Sequence, residues 1–251
     1  MIPDELVVDV SQDWILACDV QQRFMPGLGG ANAFLNYSGR CRQVRAVGGD
    51  CYDFMPLSED RLAFVVADAS GKGLAAVLMI ANVQSSLRTA ATFTGNDLSA
   101  LLRVVNHQAY TCSLEDRYAT VFYGVFQPAT RTLRYVNAGH NPPVILRRNG
   151  SIKQLDGGGA PVGMFQDSDY DEGIVQLYPG DVVIAYSDGV IEAANQSGEE
   201  WGTEGLLKAA AGCAKQSEDS AELVQSIFNS MDAFSAGCQA DDTTLAVLRV
   251  R

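Results

Sequence analysis

The hydrophobic residues of this chain fall into short runs separated by polar segments, and the spacing within each run predicts its secondary structure. Residues 13–25 have the pattern of an amphipathic helix, which Pro26 ends. The stretch from Leu74 to about Thr92 is apolar on nearly every side, so a buried helix is expected there. Apolar residues at helical spacing predict three further helices, one starting at Asn96-Asp97 and two covering about residues 203–214 and 219–234.

Strands are predicted where β-branched and aromatic residues form runs between turn residues. These runs cover residues 41–55, 61–68, 119–127, 132–138, 144–148, 152–155, 174–177, 181–187 and 243–250. Residues 27–40 and 157–163 are rich in glycine and are predicted to be loops, and Asn149-Gly150 predicts a type I′ hairpin. Because short strands joined by hairpins form antiparallel sheets, the pattern predicts the α+β class, with antiparallel sheets flanked by helices.

The composition of the chain limits its domain count and the kinds of partner that it can be expected to bind. The chain has 251 residues, of which 47% are hydrophobic, and this allows one large domain or two small ones with a sizeable core. A net charge of −12 argues against a nucleic-acid partner or an anionic membrane. No apolar run approaches about 18 residues, and the chain opens with acidic residues, so we expect neither membrane insertion nor a signal peptide.

Cysteine and histidine usage points to a reducing compartment and away from zinc. The six cysteines are scattered and form no CxxC pair, so we interpret them as reduced thiols in or near the core of a cytoplasmic protein. Only two histidines occur, His107 and His140, and a histidine-rich zinc site is therefore not expected.

Four aspartates share one setting, at the end of a hydrophobic run and beside a small or polar residue. They are Asp50 in GGD, Asp68 in ADASG, Asp188 in SDG and Asp241 in ADDT. Taken alone, such a residue is better interpreted as an ordinary turn aspartate. Brought together, four carboxylates would repel one another strongly unless cations lay between them, and oxygen-only ligands favour magnesium or manganese.

Such a carboxylate set predicts a particular chemistry. Two divalent ions about 3.5–4 Å apart can bridge one water, lower its pKa and bind a phosphoryl oxygen. This arrangement provides a nucleophile and neutralises charge without a serine, cysteine or histidine nucleophile. The four aspartates therefore predict hydrolysis of a phosphate monoester.

A family resemblance agrees with this chemistry. Seven segments carry it: VGGDCYDF, VADASGKGLAAVLM, YATVFYGVF, LRYVNAGHNPPVIL, GAPVGMF, LYPGDVVIAYSDGVIEA and ADDTTLAVL. In this order, over about residues 15–251, the chain resembles the metal-dependent serine/threonine phosphatases of the protein phosphatase 2C (PPM) superfamily. It looks most like the bacterial branch of sporulation stage II E (SpoIIE)-type and stress-regulator enzymes. The resemblance implies an αββα sandwich of two antiparallel sheets flanked by helices, with a dimetal site at one end.

The resemblance also implies an activity and a partner. It implies that two Mn²⁺ or Mg²⁺ ions activate a bridging water, which attacks phosphoserine or phosphothreonine on a bacterial regulatory protein. The substrate implied is of the anti-sigma-factor antagonist type, which acts in partner-switching signalling. The chain itself contains no feature that identifies one substrate.

Site residues follow from the motifs that match the family. Asp50 and Asp68 resemble the core metal ligands, and Ala69 the position whose backbone carbonyl reaches a metal. Asp188 and Asp241 complete the implied ligand set. Two further residues are weaker candidates: Asp242 as a support for the ligands, and Arg45, which lies where eukaryotic relatives have a phosphate-binding arginine and is equally consistent with a strand arginine in solvent.

Two other motif residues are interpreted as non-catalytic. The sequence Gly71-Lys72-Gly73 replaces the GHGG of the eukaryotic enzymes, so Lys72 is not expected to be a catalytic acid. His140 in AGHNPP is interpreted as structural, with Asn137 and Asn141 fixing its turn.

Other functional classes fit less well. GGDCY resembles the GGDEF signature of diguanylate cyclases but has Cys51-Tyr52 in place of Glu-Phe, and neither a P-loop nor a G-x-S-x-G motif occurs. The serious alternative is a PPM-fold module that binds or scaffolds a partner with little or no catalysis. All four acids are present, which favours the enzyme.

Two parts of the chain are predicted to have separate roles. Residues 27–251 are assigned to the phosphatase domain, and residues 1–26 to a connector that includes the first helix. That helix is a candidate contact for a homodimer, and packing on its own domain is the equally open alternative.

Overall fold

The computed structural model describes residues 10–27, 29–58, 61–113 and 116–251. Its helices are α1 Val10–Phe24, α2 Leu74–Phe93, α3 Leu98–Cys112, α4 Asp188–Ile191, α5 Gly202–Ala214 and α6 Ser220–Ser235. Its strands are β1 Gly29–Ala31, β2 Leu35–Arg42, β3 Asp50–Ser58, β4 Arg61–Ala69, β5 Ala119–Gln127, β6 Thr132–Ala138, β7 Val144–Leu146, β8 Ile152–Gln154, β9 Gly158–Gly159, β10 Gly173–Gln176, β11 Val182–Tyr186 and β12 Thr243–Val250.

These strands form two sheets that pack face to face between helices. The first sheet has the order β1-β2-β12-β11-β7-β8, and the second has the order β10-β6-β5-β4-β3. Neighbours are antiparallel except for a short parallel pairing of β9 with β6. Helices α2 and α3 pack on the outer face of the second sheet, and α5 and α6 on that of the first. The predicted αββα sandwich is therefore confirmed.

Strand β4 shows why the apolar runs are continuous. Its side chains alternate between faces, so Phe64 and Val66 enter the layer between the sheets, whereas Val65 and Ala67 face α2 and α3. Both faces are buried, which removes the polar half of the usual alternation. The same double burial applies to β12, in which every residue is buried.

The predicted loop at residues 27–40 is wrong, because it contains β1 and most of β2. Strand β2 pairs with β12 along its whole length. Gly39, which suggested a loop, lies under Tyr52, and a Cβ at this glycine would fall 2.5 Å from the ring. The predicted strand at 41–55 is correspondingly divided, since β2 ends at Arg42 and β3 begins at Asp50.

Other local expectations also need correction. Helix α2 is not buried on every side, because Leu74 is 52% and Leu78 64% exposed. The β7–β8 hairpin forms, but its turn is not type I′, since only Gly150 has positive φ there. The predicted loop at 157–163 includes strand β9.

The positions of the cysteines differ in part from the prediction that they lie in or near the core. All six cysteines are free thiols, yet Cys112 and Cys238 are exposed and do not lie in the core. Within the described residues, no helix combines the length and apolar character that a membrane crossing requires.

Candidate metal centre

The four predicted aspartates lie at one end of the sandwich. Asp50 begins β3 and Asp68 lies next to the end of β4, and the two residues are directly paired across these strands. Asp188 follows β11 as the first residue of α4, and Asp241 lies two residues before β12. Because β11 and β12 are antiparallel neighbours, the end of one strand lies beside the start of the other.

Asp50 is the most buried of these carboxylates. It is 1% exposed, and the Thr244 hydroxyl donates a 2.7 Å hydrogen bond to its Oδ2. Burial raises the pKa of Asp50 well above its usual range, although hydrogen bonds from Ser187 and Thr244 act in the opposite direction. The hydroxyls therefore orient this carboxylate without compensating for its charge.

Asp68 and Asp188 show the same electrostatic condition. Burial, followed by the negative charge of Asp50, raises the pKa of Asp68. Burial also raises the pKa of Asp188, against a backbone hydrogen bond from Gly189 at the start of α4. The site therefore concentrates negative charge where water cannot fully solvate it, and a cation would relieve that cost.

Asp241 is the most accessible member and is paired with a lysine. The ammonium group of Lys72 lies 2.9 Å from its Oδ2, and the two side chains are 63% and 45% exposed. Hydrogen bonding to Asp241 raises the pKa of Lys72. Lys72 thus places a positive charge on the rim of the aspartate set.

Asp242 fixes the segment that leads to Asp50. Its two oxygens accept hydrogen bonds of 2.8 Å from the backbone N–H groups of Val44 and Gly49. A Cβ on Gly48 would lie 2.1 Å from the Asp242 carboxylate, so only glycine fits there. Asp242 therefore positions the loop, as expected for a support of the ligands.

Ala69 lies where its backbone can contribute. Its N–H donates a 3.0 Å hydrogen bond to the carbonyl of Gly49. A Cβ at Gly49 would come within 3.3 Å of the Ala69 carbonyl oxygen, so the glycine keeps that oxygen open.

Arg45 lies in the loop between β2 and β3, not on a strand. It is exposed and lines a cleft of about 90 Å³ together with Asp68, Lys72 and Asp241. No ion pair involves Arg45 among the residues that the structure describes. Its guanidinium is thus available to an anion in the cleft.

His140 has a structural environment. Its Nδ1 lies 2.8 Å from the Thr120 hydroxyl, and its backbone N–H donates to Asn137 Oδ1. Burial lowers its pKa to about 4, so the ring is neutral at physiological pH. Asn137 fixes this turn as expected, whereas Asn141 makes no side-chain hydrogen bond within the described residues.

Three residues that support the site were not predicted from the sequence. Ser187 is the serine of the SDG motif and Thr244 directly follows the DDT motif, so their position next to predicted ligands was a usable signal. Gln21 gave no such signal, because it lies on a helix that looks peripheral. Its side chain donates to the Gly48 carbonyl at 2.7 Å and accepts from the Gly48 N–H at 3.1 Å.

The donor set fits divalent cations that favour oxygen. Every candidate side chain is a carboxylate, and the buried carboxylates lack an opposite charge. No three acidic, histidine or cysteine side chains in the described ranges converge on a closed ligand cluster. What supports Mg²⁺ or Mn²⁺ is the chemistry of the donors, because these ions take oxygen ligands.

Solved structures share the fold. The SiaA-PP2C domain of Pseudomonas aeruginosa superposes with a TM-score of 0.82 at 18% identity, covering 96% of both chains. The catalytic domain of the serine/threonine protein phosphatase PstP, solved with two manganese ions, gives a TM-score of 0.64 at 20% identity over 86% of this chain and 98% of that one.

Sequence comparison identifies the family. The phosphoserine phosphatase RsbU of Bacillus subtilis is 24% identical, covering 96% of this chain and 71% of that protein. Protein IcfG of Synechocystis is 30% identical over 66% of this chain, which corresponds to only 30% of IcfG. The family model of stage II sporulation protein E matches residues 58–251. The chain therefore belongs to the SpoIIE family of PP2C-like phosphatases.

Proposed function

We propose that this chain hydrolyses phosphoserine or phosphothreonine on a bacterial regulatory protein with the help of two Mn²⁺ or Mg²⁺ ions. One observation carries the proposal: four aspartates lie at the same end of the sandwich, and burial raises the pKa of at least three of them. The named activity of RsbU and the manganese ions of the PstP structure support the same class.

Each residue has a defined part in this proposal. Bound divalent ions would supply an activated water and neutralise the phosphoryl group. Asp50, Asp68, Asp188, Asp241 and the Ala69 carbonyl hold those ions, and Thr244 keeps the Asp50 carboxylate oriented. Arg45 binds a phosphate oxygen in the adjoining cleft, since a guanidinium fork matches phosphate geometry.

A narrower proposal concerns the substrate. We infer a cytoplasmic phosphoprotein of the anti-sigma-factor antagonist type, because RsbU-like proteins are among the relatives. Residues 27–251 would form the catalytic domain and residues 1–26 a connector, of which residues 1–9 lie outside the described part of the chain.

Helix α1 is proposed to mediate a homodimer. Leu16, Val20 and Phe24 recur every four residues and are 61%, 53% and 38% exposed, which gives α1 an unburied apolar stripe. On another face of the helix, Gln21 bonds both backbone groups of Gly48, so a contact on the stripe is mechanically linked to the loop before Asp50.

Phosphate release from a phosphoserine peptide tests the activity. The chain is assayed after exhaustive chelation, and again with added manganese or magnesium. We expect release only with the added ion. Full release after chelation would contradict the metal-dependent mechanism, and no release with either ion on any phosphopeptide or aryl phosphate would favour the scaffold alternative.

A further inference from the structure

A second groove lies at the end of the first sheet that is opposite the aspartates. It has a volume of about 970 Å³ and is bounded by the β7–β8 turn, the C-terminal end of α5 and the last residues of β12. Strands β11 and β12 start or finish there, and each leads to a candidate metal ligand at its other end. Eight residues of β12 separate the two sites by about 25 Å.

The groove concentrates positive charge in an acidic protein. Five of the 18 lysines and arginines line it, whereas Glu218 is the acidic residue in its lining. The five are Arg147, Arg148, Lys215, Arg249 and Arg251. The whole chain carries a net charge of −12, so the positive charge of the groove is opposite in sign to that of the protein as a whole.

Most of this charge is not neutralised by the protein. Arg147 is committed, because it forms an ion pair with buried Asp181. Arg148 and Lys215 are exposed and take part in no ion pair within the described ranges. Within the described residues, the Arg251 guanidinium donates only to the backbone carbonyl of Asn32, at 3.2 Å.

Arg249 is buried and has few partners. It is 6% exposed, and its Nε has no hydrogen-bond partner among the described residues. Its two terminal nitrogens reach the Ala214 carbonyl at only 3.4 and 3.5 Å. Burial also lowers its pKa, although the charges of Glu218 and Asp219 act in the opposite direction. A buried guanidinium with so few partners is costly unless an anion comes close.

We propose that this groove binds a small molecule that carries two linked phosphate groups. Two phosphates match the exposed charges of Arg148 and Lys215, and the buried guanidinium of Arg249 lines the same groove. The volume is in the range of small-molecule sites, and Leu146, Pro179 and Val182 give the groove an apolar side. Those apolar residues leave room for an organic group, so inorganic pyrophosphate and adenosine diphosphate are the two probes.

The test is calorimetric titration of the full chain in metal-free buffer, with no turnover required. The variant Arg148→Ala/Lys215→Ala removes two exposed charges from the groove. The matched control, Arg45→Ala/Lys72→Ala, removes two exposed charges from the metal cleft. We expect pyrophosphate affinity to fall about tenfold or more in the groove variant and to change less than about twofold in the control.

Several outcomes would overturn the proposal. No measurable heat with either probe would do so, as would equal affinity in the wild type and the groove variant. Loss of binding in the control alone would place the phosphate at the metal cleft. If adenosine diphosphate binds more tightly than pyrophosphate, the apolar side of the groove binds the organic group. If the two bind with equal affinity, the phosphates alone account for binding. Because none of these readouts uses phosphatase activity, they are independent of the proposed function.

Discussion

Asp50 and Asp68 are the two carboxyl groups whose negative charge is most unfavourable in the absence of a cation. The two carboxylates are paired across β3 and β4, and folding raises both pKa values above the unfolded value of about 4. The folded metal-free chain therefore holds more protons than the unfolded chain above that pH. It follows that the free energy of unfolding falls as pH rises.

This sign gives a prediction for the metal-free protein. Urea unfolding in chelated buffer is expected to show lower stability at pH 8 than at pH 5. The pKa of Asp68 is raised to about 9, so this carboxyl must take up a proton on folding at pH 8; Asp68→Asn removes that cost and should stabilise the metal-free protein at pH 8 by about 1 kcal/mol or more. Stability that rises with pH, or an asparagine variant less stable than the wild type, would contradict the assigned repulsion.

Lys72 is predicted to affect metal binding more than chemistry. Its ion pair with Asp241 joins two partly exposed side chains, so its net contribution is about 0.2–1 kcal/mol. Lys72→Ala frees Asp241 and removes a nearby positive charge, and we expect manganese to bind up to about fivefold more tightly with turnover largely kept. A fall in turnover of about a hundredfold at saturating metal would instead make Lys72 a catalytic acid.

Among the elements, α1 has a more direct connection to the site than its terminal position indicates. The Gln21 side chain is 5% exposed and bonds both backbone groups of Gly48. At the end of the same helix, Gln84 and Arg88 of α2 donate to the carbonyl of Phe24. The helix therefore contacts both the loop before Asp50 and the helix after Asp68.

Gln21→Ala tests this connection, with exposed Gln22→Ala as the matched control. Loss of the paired bonds loosens Gly48 and the start of β3, so manganese affinity is expected to fall about tenfold in the first variant. The control is expected to bind manganese as the wild type does. Equal manganese affinity in both variants would separate α1 from the site.

Forced dimerisation is the second test at this scale. Fusion of a parallel coiled coil to the N-terminus places two α1 stripes side by side. We expect higher manganese-dependent turnover than in the unfused chain, and tenfold activation requires only about 1.4 kcal/mol of coupling. Equal turnover and equal apparent metal affinity would remove the dimer proposal and leave the catalytic assignment intact.

The helices and strands differ in how well the hydrophobic pattern of the sequence predicted them. Strands such as β5 and β12 and helix α3 were predicted closely, because their apolar spacing is complete. Strand β2 was missed because its buried positions include Ser38 and Gly39, which carry no apolar signal. The exposed side of α2 was missed because hydrophobicity alone does not show which face lacks a neighbour.

For the whole molecule, the sandwich explains why distant motifs form one site. The two sheets contribute two candidate ligands each, and their ends coincide only after the sheets pack. The sequence indicated the aspartates, because each lies at or next to one end of an apolar run. It gave no indication of the groove, since Arg148, Lys215 and Arg249 are far apart in sequence and meet only through the fold.

The most direct test of the central claim is turnover of a phosphoserine peptide by single asparagine variants at saturating manganese. Asp68→Asn and Asp188→Asn keep the shape of the side chain and remove its charge from the site. Asp167→Asn does the same at an exposed loop position and serves as the control. We predict that the first two variants lose activity by orders of magnitude while remaining folded, and that the control keeps wild-type turnover. Wild-type turnover by Asp68→Asn or Asp188→Asn would contradict the account, because that carboxylate would then have no essential part in metal-dependent hydrolysis.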